Sequence, residues 1–250
     1  MLTEERFQRI LSLVEEQKSV SVQNLMEELD ISESTARRDL TELDAQGKLI
    51  KVRGGAMAKN SKYKTKDDMV SLRKAQNQDE KRRIAKYAAS LIEPNDFIYL
   101  DAGTTTELMI DYLTEKNVVF VTNAVSHAKR LSEAGYITYI LGGEFKATTE
   151  AIVGDEAVES LAKYNFTKGF WGTNGVDSEA GFSTPDVKEA MIKKVSMNHS
   201  EKRYVLCDSS KFSQISCVKF GDFTNAVIIT TKVGDKEYAH CENIVEVKEQ

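Results

Sequence analysis

The chain has 250 residues, 41% hydrophobic and 29% charged, enough for one large domain or two smaller ones with buried cores. A net charge of −5 favours no polyanionic partner by itself, and no apolar run reaches the length of a membrane span. Three cysteines without C-x-x-C spacing and three scattered histidines argue against a disulfide scaffold and a metal site, and point to a cytoplasmic protein with reduced thiols, no metal and no cofactor.

Thr3-Glu4-Glu5 reads as a helix start, a hydroxyl followed by two acids where the helix dipole favours negative charge. Phe7, Ile10, Leu11 and Val14 follow at helical spacing and form one apolar stripe. Ser21 can cap a second helix with Val22, Leu25, Met26 and Leu29 inward. After Asp30-Ile31, Ser32 can cap a third with Ala36, Leu40 and Leu43 inward. Glu33, Ser34, Arg37 and Arg38 fall on the outer side of that third helix, and Gly47 is placed to end it. Leu49 to Arg53 then reads as a strand entering a turn at Gly54-Gly55, which makes a wing. From Lys51 to Lys66 the cations Lys51, Arg53, Lys59, Lys62, Lys64 and Lys66 occur with no acid among them. Alone such a run is a solvated linker; behind a tri-helical unit it is a basic wing.

A third helix exposed on one side fits the major groove. There arginine reaches guanine edges or phosphates, and serine or threonine bonds phosphate oxygens. A small helical protein-interaction domain with surface arginines is the competing reading, but it leaves the coincidence of cap, turn, paired arginines and basic wing unexplained. The run Ser32-Glu33-Ser34-Thr35-Ala36-Arg37-Arg38-Asp39-Leu40, followed by Leu43 and by Arg53-Gly54-Gly55-Ala56, resembles the DNA-binding signature of the DeoR family of bacterial repressors. The resemblance implies that Ser32, Ser34, Thr35, Arg37 and Arg38 meet double-stranded operator DNA, with Arg53 reaching from the wing. Asp39 would be structural, orienting one arginine. Residues 1–58 are then a winged helix-turn-helix, 59–78 a polar linker, and 79–250 a second domain.

In that second domain a helix with Ile84, Ala85, Ala88 and Ala89 on one face precedes Pro94. Short apolar runs of buried-strand type follow at 97–100, 118–121, 137–141, 169–171, 204–206 and 226–230, most of them separated by amphipathic stretches of helical length. Such alternation implies an α/β domain with a mostly parallel sheet, whose ligands sit beyond the carboxyl ends of the strands. Those ends lead into Asp101-Ala102-Gly103-Thr104-Thr105-Thr106, Thr122-Asn123, Gly142-Gly143, Thr173-Asn174-Gly175 and Asp208-Ser209-Ser210-Lys211. Gly103 with three hydroxyls at a helix start suits an anion such as phosphate, although an N-capped helix with spare hydroxyls is the plainer alternative. Neither a Walker A loop nor a G-x-G-x-x-G pattern is present.

This half also resembles the DeoR sensor domain, itself similar to ribose-5-phosphate isomerase. The family fold is thus a winged helix-turn-helix plus an isomerase-like α/β sensor domain. The resemblance implies a sugar-phosphate effector, with Gly103 to Thr106 at the phosphate, Lys211 at sugar or phosphate oxygens, and Asp101, Thr122, Asn123, Gly142, Gly143, Thr173, Asn174 and Gly175 around it. Glu189 falls about where the isomerase keeps its catalytic base, yet Thr173-Asn174-Gly175-Val176 lacks the isomerase's acids, with Asp177 just outside. A sensor is therefore expected, with no catalytic residue; an isomerase carrying a DNA-binding domain is the alternative. Met1-Leu2-Thr3-Glu4-Glu5-Arg6 and Gly181-Phe182-Ser183-Thr184-Pro185-Asp186 resemble fructose-operon repressors of Gram-positive bacteria, which implies fructose 1-phosphate. Thr149-Glu150-Ala151-Ile152-Val153-Gly154 resembles the lactose branch, which answers to tagatose 6-phosphate. A homodimer or homotetramer is expected, because helix-turn-helix proteins read paired half-sites.

Overall fold

The computed structural model describes residues 3–17, 19–52, 54–58, 63–64, 69–233 and 236–248. The chain divides into two compact units, Met1–Lys62 and Tyr63–Gln250.

The first unit runs α1 (Thr3–Gln17), β1 (Ser19–Ser21), α2 (Val22–Leu29), α3 (Glu33–Ala45), β2 (Leu49–Val52) and β3 (Gly55–Ala58). Ser21 accepts a hydrogen bond from the Asn24 amide at 3.0 Å and Ser32 from the Thr35 amide at 3.3 Å, so both hydroxyls satisfy amides that a helix start leaves free. Ile10, Val14, Leu25, Leu40, Leu43 and Leu49 pack into one core; in α1 Leu13 joins it, while Phe7 and Leu11 stay half-buried. The three strands form an antiparallel sheet in the order β1-β3-β2. Gly55 is required there: a Cβ would stand 2.0 Å from the Val20 carbonyl oxygen.

Asp39 is structural and holds one arginine, as expected, but that arginine is not one of the pair beside it. It orients neither Arg37 nor Arg38 but accepts from Arg6 of α1, at 2.5 Å from Nε and 3.1 Å from Nη2. The reason is helical phase: Asp39 shares the buried face of α3 with Ala36, Leu40 and Leu43, whereas both arginines lie on the exposed face.

The second unit continues with β4 (Tyr63–Lys64), α4 (Val70–Ala75), α5 (Gln78–Ser90), β5 (Phe97–Leu100), α6 (Thr104–Met109), β6 (Val119–Thr122), α7 (Val125–Glu133), β7 (Ile137–Ile140), β8 (Glu144–Lys146) and β9 (Ala151–Val153). It ends with α8 (Asp155–Leu161), β10 (Phe166–Gly172), β11 (Gly175–Asp177), β12 (Gly181–Thr184), α9 (Val187–Asn198), β13 (Ser200–Leu206), β14 (Ile215–Ser216), β15 (Val218–Gly221), β16 (Val227–Thr230) and β17 (Ile244–Glu246). Seven strands form one parallel sheet in the order β17-β16-β13-β10-β5-β6-β7. Consecutive strand residues point to opposite faces. Leu100, Phe120, Phe170, Leu206 and Ile229 pack beneath α5, α6 and α7, while Tyr99, Val121, Trp171, Val205 and Ile228 pack beneath α8 and α9. Burial on both faces explains why these strands read as continuous apolar runs. Each such side chain stabilises the unit by roughly 1.5–3 kcal/mol.

All six expected runs lie in this sheet; β17, three residues long, is an addition. The expected linker is shorter than residues 59–78. β4 pairs with β14, and α4 and the start of α5 also belong to the second unit. No residue of α4 is buried, so no apolar periodicity marked it. Instead it is held by a hydrogen bond from the Val70 amide to the Thr148 carbonyl at 3.3 Å and by a Lys74–Glu107 ion pair at 2.9 Å.

Candidate functional site

The first unit presents the exposed side of α3. Ser32 Oγ lies 2.9 Å from both Ser34 Oγ and Thr35 Oγ1, so the three hydroxyls form one cluster at the helix start. Ser32 is therefore occupied as a cap. Arg37 pairs with Glu33 one turn back at 2.7 Å, whereas Arg38 is exposed and, among the described residues, has no ion-pair or hydrogen-bond partner. Lys51 of β2 donates to Thr41 Oγ1 at 2.6 Å, bringing a cation of the basic run beside α3. Arg53, expected to reach from the wing, lies outside the described residues, as do Lys59, Lys62 and Lys66.

In the second unit the strand order reverses between β5 and β10, where ligands of parallel sheets characteristically sit. A cleft of about 600 Å³, including its open mouth, lies beyond these carboxyl ends. Of the expected residues it is lined by Gly103, Thr104, Thr105, Thr173, Asn174, Glu189 and Lys211. It is also lined by Arg73 and Gln76 of the α4 segment, Lys81 of α5, Thr149, Lys193 of α9 and Cys207.

One end of the cleft is cationic. Arg73, Lys81 and Lys211 converge there, and among the described residues no carboxylate lies within ion-pair distance of any of them. Arg73 Nε is buried and, among the described residues, has no hydrogen-bond partner. Lys81 is almost fully buried and donates to the Arg73 carbonyl. Its burial pulls the ammonium pKa down; Asp208 opposes this, while the charges of Lys211 and Arg73 add to it. Asp208 is itself largely buried, which works against ionisation, but Lys211 and hydrogen bonds from Ser210 and Asn77 hold it below the usual carboxylate range. An arriving anion would relieve the mutual repulsion of the three cations, with Thr104 and Thr105 also lining the cleft.

The other end is a polar lattice around Glu189. Its carboxylate accepts from Thr149 Oγ1 at 2.5 Å, from Lys146 Nζ at 3.0 Å and from Thr184 Oγ1 at 3.5 Å. Thr184 also donates to Asn174 Oδ1 at 3.2 Å. Beneath the cleft floor, buried Asp101 forms an ion pair with Lys193, which donates to the Gly172 carbonyl as well, at 3.0 Å. Burial raises the Asp101 pKa and the Lys193 charge opposes it.

Several expected residues shape the cleft without lining it. Asp101 is buried under the floor. Thr106 donates to the carbonyls of Asp101 and Gly103, at 2.7 and 2.9 Å, which closes the loop on itself. Asn123 accepts from the Ala102 amide at 2.9 Å and braces that loop, and Thr122 accepts from the Ala124 amide at 3.1 Å. Gly142 and Gly143 lie at the turn before β8, where Gly143 has φ of 138° and a Cβ would stand 2.8 Å from the Val153 carbonyl oxygen. Gly175 opens β11, opposite Ser183. Asp177 turns away from the cleft and accepts from the amides of Glu179 and Ala180 in a hairpin. Among the described residues no group of three or more His, Cys, Asp or Glu could hold a metal ion.

The residues that sequence reasoning missed had one readable signal. Lys81 falls on the apolar stripe of α5 with Ile84, Ala85 and Ala88, and Lys193 on the buried face of α9 with Glu189 and Ala190. A lysine inside such a stripe needs a polar destination. Arg73 carried no such mark.

The model of the DeoR C terminal sensor domain matches residues 76–232, and that of the DeoR-like helix-turn-helix domain residues 6–62. The chain is 45% identical over 232 residues, 92% of each chain, to a Bacillus subtilis (strain 168) protein named Uncharacterized HTH-type transcriptional regulator FruR. It is 32% identical over 236 residues, 93% of each, to a Lactose phosphotransferase system repressor of Staphylococcus epidermidis. Among solved structures, a ribose 5-phosphate isomerase A from Methanocaldococcus jannaschii aligns at TM-score 0.40 and 18% identity over 55% of each chain. The Sorbitol Operon Regulator SorC from Klebsiella pneumoniae aligns at TM-score 0.39 and 10% identity, over 82% of this chain and 89% of that one. The sequence relatives are transcriptional regulators, and so, rather than an enzyme, is this chain. With both halves matched by models of one family, the chain belongs to the DeoR family of helix-turn-helix transcriptional repressors.

Proposed function

We propose that this chain works in the cytoplasm as a repressor of a sugar-utilisation operon, and that a phosphorylated sugar bound in the cleft controls it. Fructose 1-phosphate is the favoured effector. The observation that carries this reading is the polarity of the cleft, with Arg73, Lys81 and Lys211, none ion-paired among the described residues, at one end and Glu189, Thr149 and Asn174 at the other. A phosphate dianion suits the first end, and sugar hydroxyls suit the second, where carboxylate and amide oxygens accept. The greater likeness to FruR (45% identity) than to the lactose phosphotransferase repressor (32%) supports the fructose branch over tagatose 6-phosphate.

The DNA-binding surface in this reading is Ser34, Thr35, Arg37 and Arg38, with Ser32 shaping the helix start and Arg53 adding to it. A homodimer or homotetramer presents two such surfaces to paired half-sites. The effector changes DNA affinity by favouring one arrangement of the chain. The route begins at α4, which carries Arg73 into the cleft, is tied to Thr148 and Glu107, and follows directly on the segment leaving the first unit.

Titration of fructose 1-phosphate into a repressor–operator complex tests the reading, with tagatose 6-phosphate, unphosphorylated fructose and inorganic phosphate as comparisons. The expected result is a change in operator affinity with fructose 1-phosphate alone. Response to tagatose 6-phosphate instead would move the protein to the lactose branch, and no response to any of them would refute sugar-phosphate control.

A further inference from the structure

The two edges of the seven-stranded sheet differ. β17 is short and carries Glu246, which accepts from the Val233 amide at 2.8 Å, so this edge is charged and partly engaged. β7 is Ile-Thr-Tyr-Ile, with Ile137 61%, Tyr139 49% and Ile140 46% exposed. It has no charge, no proline and no bulge, and no described strand pairs with its outer side. Folded proteins blunt open sheet edges with such features, because an unblunted apolar edge pairs with another strand.

The backbone restricts how that pairing is made. The Leu141 amide donates inward to the Thr122 carbonyl at 3.0 Å, so by alternation Ile137 and Tyr139 also point their backbone groups toward β6. The amide and carbonyl groups of Thr138 and Ile140 then point outward. A two-fold axis through Tyr139, perpendicular to the sheet, sets Thr138 of one copy against Ile140 of the other, twice, as antiparallel hydrogen-bonded pairs. It also sets Tyr139 against its own copy on the face shared with Tyr164. The neighbouring register, centred on Thr138, needs the Tyr136 amide, and that is already bonded to the Leu131 carbonyl at 3.0 Å.

We propose that β7 is the homodimer contact of this protein: two copies join antiparallel across Tyr139 and continue the sheet from one chain into the next. The strand is self-complementary, with aromatic against aromatic on one face and β-branched Thr138 against Ile140 on the other, pairings that stabilise sheets. The inference rests on the reading that the repressor works in pairs and adds where the pairing occurs.

Cysteine crosslinking of the full chain tests it, in a background in which exposed Cys217 and half-exposed Cys241 are replaced by serine and buried Cys207 is kept. Opposed residues of an antiparallel pair have Cα atoms about 4.5–5.5 Å apart, within disulfide reach. Mild oxidation should therefore give a covalent dimer with Tyr139→Cys. Ile137→Cys should give none, because its own copy lies about four residues away along the strand. In analytical ultracentrifugation Tyr139→Lys, which sets like charges opposite each other, should sediment at half the unsubstituted mass, with its far-ultraviolet spectrum unchanged. A dimer that persists in Tyr139→Lys and fails to crosslink through Tyr139→Cys would overturn the β7 contact while leaving a paired repressor. An unsubstituted protein that sediments as a monomer would overturn both.

Discussion

Arg6 of α1 and Asp39 of α3 form a two-pronged ion pair that ties α3 to α1. Asp39 is buried and Arg6 half-buried, and the hydrogen bonds that Arg6 donates to Asp39 hold the guanidinium pKa above its ordinary value. Replacing Arg6 by alanine would leave a buried carboxylate unpaired. The first unit should lose about 3–5 kcal/mol of stability, measured by urea denaturation of the full chain. Arg6→Lys should recover only part of this, because an ammonium cannot match both carboxylate oxygens.

Arg38→Ala should weaken operator binding by about 1–3 kcal/mol in a gel-shift titration. Arg37→Ala should cost less, because Arg37 must first give up Glu33, its partner at 2.7 Å. Unchanged affinity in both variants would remove α3 from the interface.

Lys211→Ala and Arg73→Ala should each weaken fructose 1-phosphate binding roughly 10- to 100-fold, the loss of one charge-assisted hydrogen bond in a dry setting. The readout is the rise in melting temperature with ligand. At a concentration 100 times the dissociation constant the ligand stabilises the unsubstituted protein by about 2.7 kcal/mol, and at that concentration each variant should lose about 1.3 to 2.3 kcal/mol of it. Operator binding without effector should be unchanged in Lys211→Ala.

His127 gives a dependence on pH. Buried on α7, its Nε2 lies 3.2 Å from the Gly103 carbonyl oxygen, and burial lowers its pKa from 6.5 to about 4, against the opposing charge of Glu107. Between pH 6.5 and about 4 the unfolded chain takes up a proton there and the folded chain does not. Stability should therefore fall as pH falls through that window, by up to about 3 kcal/mol, and this contribution should level off below it. Asp96, Asp186 and Asp208 are held below 3.8, so their contributions fade only under more acid conditions. Denaturation at pH 7, 5.5 and 4.5 should show the slope, and His127→Gln should flatten it.

The helices of the first unit and the strands of the large sheet were readable as patterns, because each buries a regular stripe or an unbroken apolar run that local spacing displays. The Gly103-Thr-Thr-Thr loop was readable too, since a strand end followed by a helix start is a local event. Which residues join that loop was decided by tertiary structure. Arg73 and Lys81 come from the successive helices α4 and α5 and Lys193 from α9 far along the chain, and only the folding of these helices around the carboxyl ends of β5 and β10 brings their charges to one cleft. Asp39 shows the same limit at shorter range: its neighbours in sequence are arginines, but helical phase turns it inward, and its partner is an arginine 33 residues away. Spacing along the chain records what one element buries, whereas charge pairing depends on which elements meet, and that is settled by packing.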